Sequence, residues 1–280
     1  MGNVVRIRSD APKNRQSCMN TNCQPLLSIR GAGRNYNDGA GNTKIALSRV
    51  GLDVLPGELV AIIGPSGSGK STLLQLAGGI DSPTTGSVDV AGRRISDMTE
   101  KERTLFRREH IGFVFQAIHL VPSMTVVENI GLSSIVSNHR TVDWKAEALV
   151  LLQHLGLHEY ADKFPDQLSG GQRQRVGVGR AIFGNPSVIL ADEPTGSLDS
   201  GNRDIVLKLI RHAIDDGQRT GGLMVTHDLQ AASYADRVIA ISDGIIIDQF
   251  VNTAAQPFNG QRGGHDHDER IRSWFTAISL

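Results

Sequence analysis

Two hydrophobic patterns divide the chain. Leu59-Val60-Ala61-Ile62-Ile63 is an unbroken apolar run closed by Gly64. A half-exposed strand would alternate, so this run predicts a strand buried on both faces. Val188-Ile189-Leu190-Ala191, Leu223-Met224-Val225-Thr226 and Val238-Ile239-Ala240-Ile241 repeat the pattern. Between them, Ser71–Ala77 has helical character, and Ile205–Ile214 places Val206, Leu209, Ile210 and Ala213 on one helix face. Buried strands alternating with helices predict an α/β architecture. Leu26–Arg30 reads as a further short strand, and Asn37-Asp38-Gly39 as a hairpin turn.

From about residue 98 to 165 the rhythm changes. Thr99 and Glu102 form a capping box, so a helix should start near Glu100. A second helix follows Asp143, with Trp144, Ala148, Leu151, Leu152 and Leu155 on its apolar face and Gly156 at its end. The stretch is expected to be a mostly helical insertion. Residues 1–24 are polar and basic without periodicity, which predicts a flexible tail. Residues 253–280 read as a polar C-terminal tail, leaving 25–252 as the folded domain.

Composition narrows the choice. The 280 residues are 39% hydrophobic, enough for a sizeable core, and 29 basic side chains balance 29 acidic ones. A net charge of zero argues against a general nucleic-acid binder. Cys18 and Cys23 are too few for a disulfide framework and fit a reducing compartment. Their spacing is not that of a zinc site, and His265 and His267 lie at the other end of the chain. Ile111–Val127 is interrupted by Gln116, His119, Pro122 and Ser123, short of the ~18–20 apolar residues of a spanning helix. The basic N-terminus is not followed by the apolar stretch of a secretory signal. The expectation is a soluble, intracellular chain that meets a membrane only through a partner.

The chemistry sits in the turns after the buried runs. Gly64-Pro65-Ser66-Gly67-Ser68-Gly69-Lys70-Ser71 fits G-x-x-x-x-G-K-[ST], directly between a strand and a helix that continues with Thr72. Its glycines let backbone N–H groups curl around phosphate oxygens, the helix N-terminus adds a positive dipole end, Lys70 reaches the β- and γ-phosphates, and Ser71 offers an oxygen to Mg²⁺. Asp192, ending the run from Val188, is placed to hold the Mg²⁺ shell. Glu193 beside it is placed to polarise an attacking water. Leu168-Ser169-Gly170-Gly171-Gln172 is a second anion-binding turn ahead of a helix that carries Arg173, Gln174 and Arg175.

With this last motif the chain resembles the ATP-binding subunit of ABC (ATP-binding cassette) transporters over about residues 25–250. The resemblance implies a P-loop NTPase (RecA-like) core with an antiparallel β subdomain and a helical insertion, binding ATP and Mg²⁺ and hydrolysing ATP. It implies that Leu168–Gln172 contacts ATP bound to the other subunit of a head-to-tail homodimer. Gln116 matches the glutamine that senses Mg²⁺ and γ-phosphate and links to the transmembrane subunit. His227 in Val225-Thr226-His227-Asp228 matches the switch histidine, Asp199 in Gly196-Ser197-Leu198-Asp199 the loop that crosses the dimer interface, and Tyr36 the ring that stacks on adenine. Gly78–Gly86, His119–Thr125 and Leu190–Gly196 are similar to lipoprotein-releasing and macrolide-exporting ATPases and a related cell-division ATPase. These imply a permease partner, no nucleic acid, and a peripheral place on the cytoplasmic face of the cell membrane. Gly177 and Gly179 depart from the alanines usual in the family, at ~1 kcal/mol each in a helix interior.

Two other readings compete. A soluble cassette acting on DNA or ribosomes would usually carry two cassettes or long insertions, and this chain has one cassette and neither. A nucleotide-binding regulator without hydrolysis is opposed by the presence of Glu193 and His227.

Overall fold

The computed structural model describes residues 24–37, 43–137, 143–196, 198–216, 219–252 and 265–278. Strands β1 (Leu27–Asn37), β2 (Thr43–Val54), β4 (Thr85–Val90) and β5 (Arg93–Arg94) form an antiparallel sheet in the order β2-β1-β4-β5. Strands β3 (Leu59–Ile63), β6 (Ile111–Val114), β7 (Val188–Asp192), β8 (Gly221–Val225), β9 (Arg237–Ser242) and β10 (Ile245–Val251) form the second sheet, in the order β10-β9-β3-β8-β7-β6. Its neighbours pair parallel, except β10, which runs antiparallel to β9. Every residue of β3 is buried, as an unbroken apolar run requires. Each such side chain contributes about 1.5–3 kcal/mol of burial.

Nine helices occur among the described residues: α1 (Lys70–Ala77), α2 (Glu100–His110), α3 (Val126–Ile130), α4 (Leu132–Ser137), α5 (Trp144–His154), α6 (Gly170–Ile182), α7 (Ser200–Asp216), α8 (Leu229–Ala232) and α9 (His265–Ala277). The expected capping box opens α2: the Thr99 and Glu102 side chains each bond the other's backbone N–H. Asp143 caps α5 by accepting from Ala146 N at 3.2 Å.

Two expectations are corrected. The helical insertion does not begin at 98, because β6 lies within that span and pairs with β7 in the central sheet. The helices that form their own core, α3, α5 and the first half of α6, come after β6: Val126, Ile130, Leu152, Leu155, Leu157 and Val176 are buried together. The C-terminal tail is not uniformly irregular. Helix α9 buries Ile271 against the second sheet's core, and Trp274 Nε1 donates to Asp248 Oδ2 at 2.8 Å. Gly177 and Gly179 are packing sites in α6 as well as propensity costs. A Cβ on Gly179 would sit 2.5 Å from Leu155 Cδ1 and 3.1 Å from Ile130 Cδ1, so side chains of the helical core pack directly on the bare backbone there. The N-terminal stretch with Cys18 and Cys23, the hairpin residues Asp38 and Gly39, Ser197, and the side chains of His265 and His267 lie outside the described residues.

Far from the strand ends that carry the motifs, Arg211 is fully buried. It donates to Asp236 Oδ2 at 2.6 Å and to Gly57 O at 2.8 Å, and pairs with Asp215. Asp236 Oδ2 also accepts from Leu59 N at 2.9 Å, which ties helix α7 to the start of β3.

Candidate active site

The parallel strands deliver the predicted residues to one edge. Going across the sheet, the carboxyl ends of β3, β8, β7 and β6 lead into the phosphate loop, Thr226-His227, Asp192-Glu193 and Gln116 respectively. In open α/β sheets this is the edge at which ligands bind.

The phosphate loop is held closed by its own chain. Lys70 Nζ donates to Gly64 O and Pro65 O, both at 2.8 Å. Ser66 and Gly67 are exposed at its rim, and Thr72 is half-buried in the first turn of α1. Gly69 caps α1 at φ +102°, and a Cβ there would sit 2.5 Å from Ala46 O, so the antiparallel sheet presses directly on the loop. The buried Ser68 hydroxyl has no hydrogen-bond partner, and the Ser68 carbonyl accepts from Gly244 N at 3.0 Å. An orphan hydroxyl inside such a cradle fits a loop shaped to receive an anion.

Charge is concentrated around Lys70. Burial lowers its pKa, against the raising pull of Glu193 and Asp192. Burial raises the Asp192 pKa, and the Glu193 carboxylate raises it further; Lys70 and the Ser71 hydroxyl oppose this. Glu193 has a left-handed backbone, φ +44°, fixed by its N–H bonding Val225 O at 3.0 Å. Non-glycine residues reach this region at a cost. The conformation aims the carboxylate at β8: Oε1 accepts from His227 Nδ1 at 2.8 Å, and Oε2 accepts from Thr226 Oγ1 at 3.3 Å. The His227 side chain is 70% exposed and Glu193 only 15%, so the pair spans the boundary between solvent and core. Gln116 lies close by: Gly196 N donates to Glu193 O at 3.2 Å, and a Cβ on Gly196 would lie 3.3 Å from Gln116 Nε2.

The Ser169 turn stands apart. Among the described residues no hydrogen bond or ion pair joins it to the phosphate loop or to the Asp192-Glu193 pair. Ser169 Oγ accepts from Gln172 N at 3.2 Å, and Gln172 Oε1 accepts from Ser169 N at 2.8 Å, a capping box on α6. Leu168 anchors the turn in the helical core, while Ser169 and Gly170 are exposed. Gly171 packs on Asn202, where a Cβ would meet the side chain at 2.4 Å; Asn202 Nδ2 in turn donates to Asp199 Oδ2 at 2.7 Å. Thus the second anion turn lies beside the Asp199 loop. Those Asn202 bonds, to its backbone N–H first, lower the pKa of Asp199.

Tyr36 is placed apart from both turns in its bonding. Its hydroxyl donates to Asp81 Oδ2 at 2.9 Å, and the Arg34 guanidinium lies 4.7 Å from the ring centroid. Two site residues escape sequence reading. Thr226 supports Glu193 directly. The buried Gln174 donates to Pro194 O at 2.8 Å, with Phe115 O at 3.5 Å, linking α6 to the loops of Glu193 and Gln116. Gln174 follows the Ser169 motif, but nothing in a string of polar residues marks which one turns inward.

The comparisons agree with this geometry. A model of the ABC transporter family matches residues 47–196. The macrolide export ATP-binding/permease protein MacB of Agrobacterium fabrum is 41% identical over 266 residues, covering 91% of this chain and 41% of its own length. MacB of Burkholderia pseudomallei strain K96243 is 42% identical over 231 residues, 82% of this chain and 35% of its own. The chain therefore spans about two fifths or less of these curated relatives. Among solved structures, the ATP-binding cassette MJ0796, a dimer in a post-hydrolysis state bound to ADP and Pi, superposes with a TM-score of 0.74 at 37% identity, covering 81% of this chain and 98% of that one. The family match spans more than half of the chain, and the phosphate loop, Asp192-Glu193, His227 and Gln116 gather at one edge of the parallel strands: the chain belongs to the ABC transporter family and is an ATPase cassette of it.

Proposed function

We propose that two copies of this chain close head to tail on two ATP molecules, each held between the phosphate loop of one copy and the Ser169 turn of the other, and that closure drives a permease. The observation that carries this reading is the openness of the Ser169 turn. It has the parts of an anion site and is exposed, and among the described residues no hydrogen bond or ion pair joins it to the phosphate loop. Lys70 and the loop amides bind the β- and γ-phosphates. Glu193 takes a proton from the water that attacks the γ-phosphorus. His227, hydrogen-bonded to Glu193 and open to solvent, positions that carboxylate and faces the γ-phosphate. Asp199 sits beside Ser169 at the surface that meets the second copy, and Tyr36 offers its free face to adenine.

Mg²⁺ suits the donors available. Ser71, Gln116 and Asp192 offer only oxygen ligands of the hard kind this ion prefers, next to the loop that holds the phosphates. Bound there, the ion would neutralise charge on the β- and γ-oxygens.

The permease reading has its own support. The MacB relatives carry an ATP-binding/permease name and more than half their length beyond this match. Among the described residues no helix is long and apolar enough to cross a membrane. A cleft of about 360 Å³ opens next to the Gln116 loop, lined by Phe113, Phe115, Leu132, Val136 and Phe183 together with Arg108, Glu109 and Arg180. Arg180 donates only to the carbonyls of Ile118 and His119, at 2.7 Å each, and has no carboxylate partner among the described residues. Burial lowers its pKa with nothing opposing. An apolar permease segment bearing one carboxylate complements this cleft, placing the cassette peripherally at the cytoplasmic face of the membrane, in a system of the exporting or lipoprotein-releasing kind.

The test is Glu193→Gln. It should keep ATP binding, lower hydrolysis about 10²–10³-fold, and elute as a dimer with ATP and Mg²⁺ on gel filtration. A variant that stays monomeric under those conditions overturns the closure scheme.

A further inference from the structure

We propose that Arg203 is a positioning residue that makes the His227–Glu193 pair respond to the Asp199 loop; this deepens the proposed ATPase reading and rests on it. Arg203 lies in the first turn of α7, and its backbone N–H donates to Asp199 O at 2.9 Å, so it moves with the loop. Its guanidinium reaches across to the segment that follows His227. Nη1 lies 3.1 Å from Asp228 Oδ2 and 3.0 Å from Gln230 Oε1. Asp228 caps α8 by accepting from Gln230 N at 2.9 Å, and the Asp228 N–H donates to Thr226 Oγ1 at 3.0 Å. Thr226 is the residue whose hydroxyl supports Glu193 Oε2. One continuous chain of bonds thus runs from the Asp199 loop through Arg203, Asp228 and Thr226 to the Glu193 carboxylate, with His227 between its last two links.

A second staple runs alongside. Tyr234, 3% exposed at the end of α8, donates its hydroxyl to Asp204 Oδ1 at 3.2 Å. Helix α7 is therefore bolted to both ends of the α8 segment, and that segment cannot follow a different path from the Asp199 loop. Arg203 is the link that touches the residue next to His227. Its side chain is 26% exposed, so it can be shortened without opening the core. Its buried Nε has no partner, so the side chain is held by its far end alone. A small shift of a general base costs rate and not binding, because the base acts only on the reacting water.

The test uses the full chain, with steady-state ATPase kinetics and equilibrium ATP binding. Arg203→Ala should lower kcat about tenfold while KM and the ATP dissociation constant change less than about twofold. Arg203→Lys, which keeps a cation opposite Asp228, should recover part of kcat. In a Thr226→Val background Arg203→Ala should cost nothing further, since the bonds reach Glu193 through the Thr226 hydroxyl. An Arg203→Ala effect that persists undiminished beside Thr226→Val, or a kcat unchanged from the parent, overturns the proposal. A parent chain without ATPase activity would instead sink the function reading itself, so the two failures are distinguishable.

Discussion

The chain holds two glycine- and serine-rich turns at helix starts, and they are left in opposite states. The phosphate loop is closed: its lysine bonds its own carbonyls, Gly69 is pressed against Ala46, and two carboxylates stand beside it. The Ser169 turn is finished only on the side facing its own chain. Its hydroxyl caps α6, Leu168 is sunk in the helical core, and among the described residues nothing beyond its chain neighbours and its own helix backbone comes within 4 Å of where a Cβ on Gly170 would stand. A helix N-terminus offers its free N–H groups and dipole to an anion wherever it points. One of these two points into the molecule's own catalytic edge and the other points out. In the proposed closure, a single copy thus supplies one complete half-site and one that a second copy completes.

Lys70→Ala gives the largest effect in breaking this comparison, because it empties the closed half. Hydrolysis should fall about 10²–10³-fold, as when a preorganised charge on a transferring phosphoryl group is removed. The fold should survive, since the ammonium is held at a desolvation cost that alanine removes. Activity within tenfold of the parent, measured by phosphate release, would mean that the cradle is not where the phosphates sit.

Gly170→Glu breaks the open half, with a smaller effect. The site has room for a side chain. A glutamate in the first turn also favours the helix, by its propensity over glycine and its charge near the N-terminus, together up to ~1 kcal/mol. Thermal stability should hold or rise. ATP binding to the single copy should stay within about twofold, while hydrolysis falls about 10–100-fold from repulsion across the dimer. Combined with Glu193→Gln, it should abolish the ATP-dependent dimer on gel filtration. A persistent dimer would put the Ser169 turn outside the interface.

How much of this was legible in the sequence follows from the same contrast. The closed half reads directly, because β3, β7 and β8 are buried on both faces and appear as unbroken apolar runs ending at their motifs. The antiparallel sheet that braces it shows in the sequence only at Leu26–Arg30 and in the turn signal Asn37-Asp38-Gly39. Strand β2 alternates poorly, since the β1–β2 register slips three times between Ile29 and Asn35. Strand β6 hid in an expected helical stretch: it is four residues long, and Gly112 looks like a breaker until its packing on the Ala181 carbonyl is known. Helix α9 carries Ile271, Trp274 and Phe275 at helical spacing, but the histidine-aspartate run before them reads as a tail. Arg203 carried no signal, because its partners Asp228 and Gln230 are brought near only by the α7–α8 packing.

Asp192 sharpens the comparison at the smallest scale, through stability. Burial and the Glu193 carboxylate raise its folded pKa above the ordinary value. The sign follows from linkage: a carboxylate raised on folding favours the folded state when protonated, and that contribution is lost as pH rises from its unfolded value, ~3.9, through the folded one. Above that range the nucleotide-free chain holds the ionised carboxylate at the expense of its own stability. Asp192→Asn keeps the shape and removes the charge. Scanning calorimetry without nucleotide should show a Tm higher by about 1–3 °C at pH 7, with the gap narrowing as pH falls through the raised folded pKa. ATPase activity should fall at the same time, because a carboxylate kept against stability is one the chemistry needs. Substitutions at Ser169 carry no such trade, since no buried charge is held at that turn. A lower Tm for Asp192→Asn at pH 7 would show that Lys70 and Ser71 outweigh burial, and that the closed half is stabilised by its charges and not strained by them.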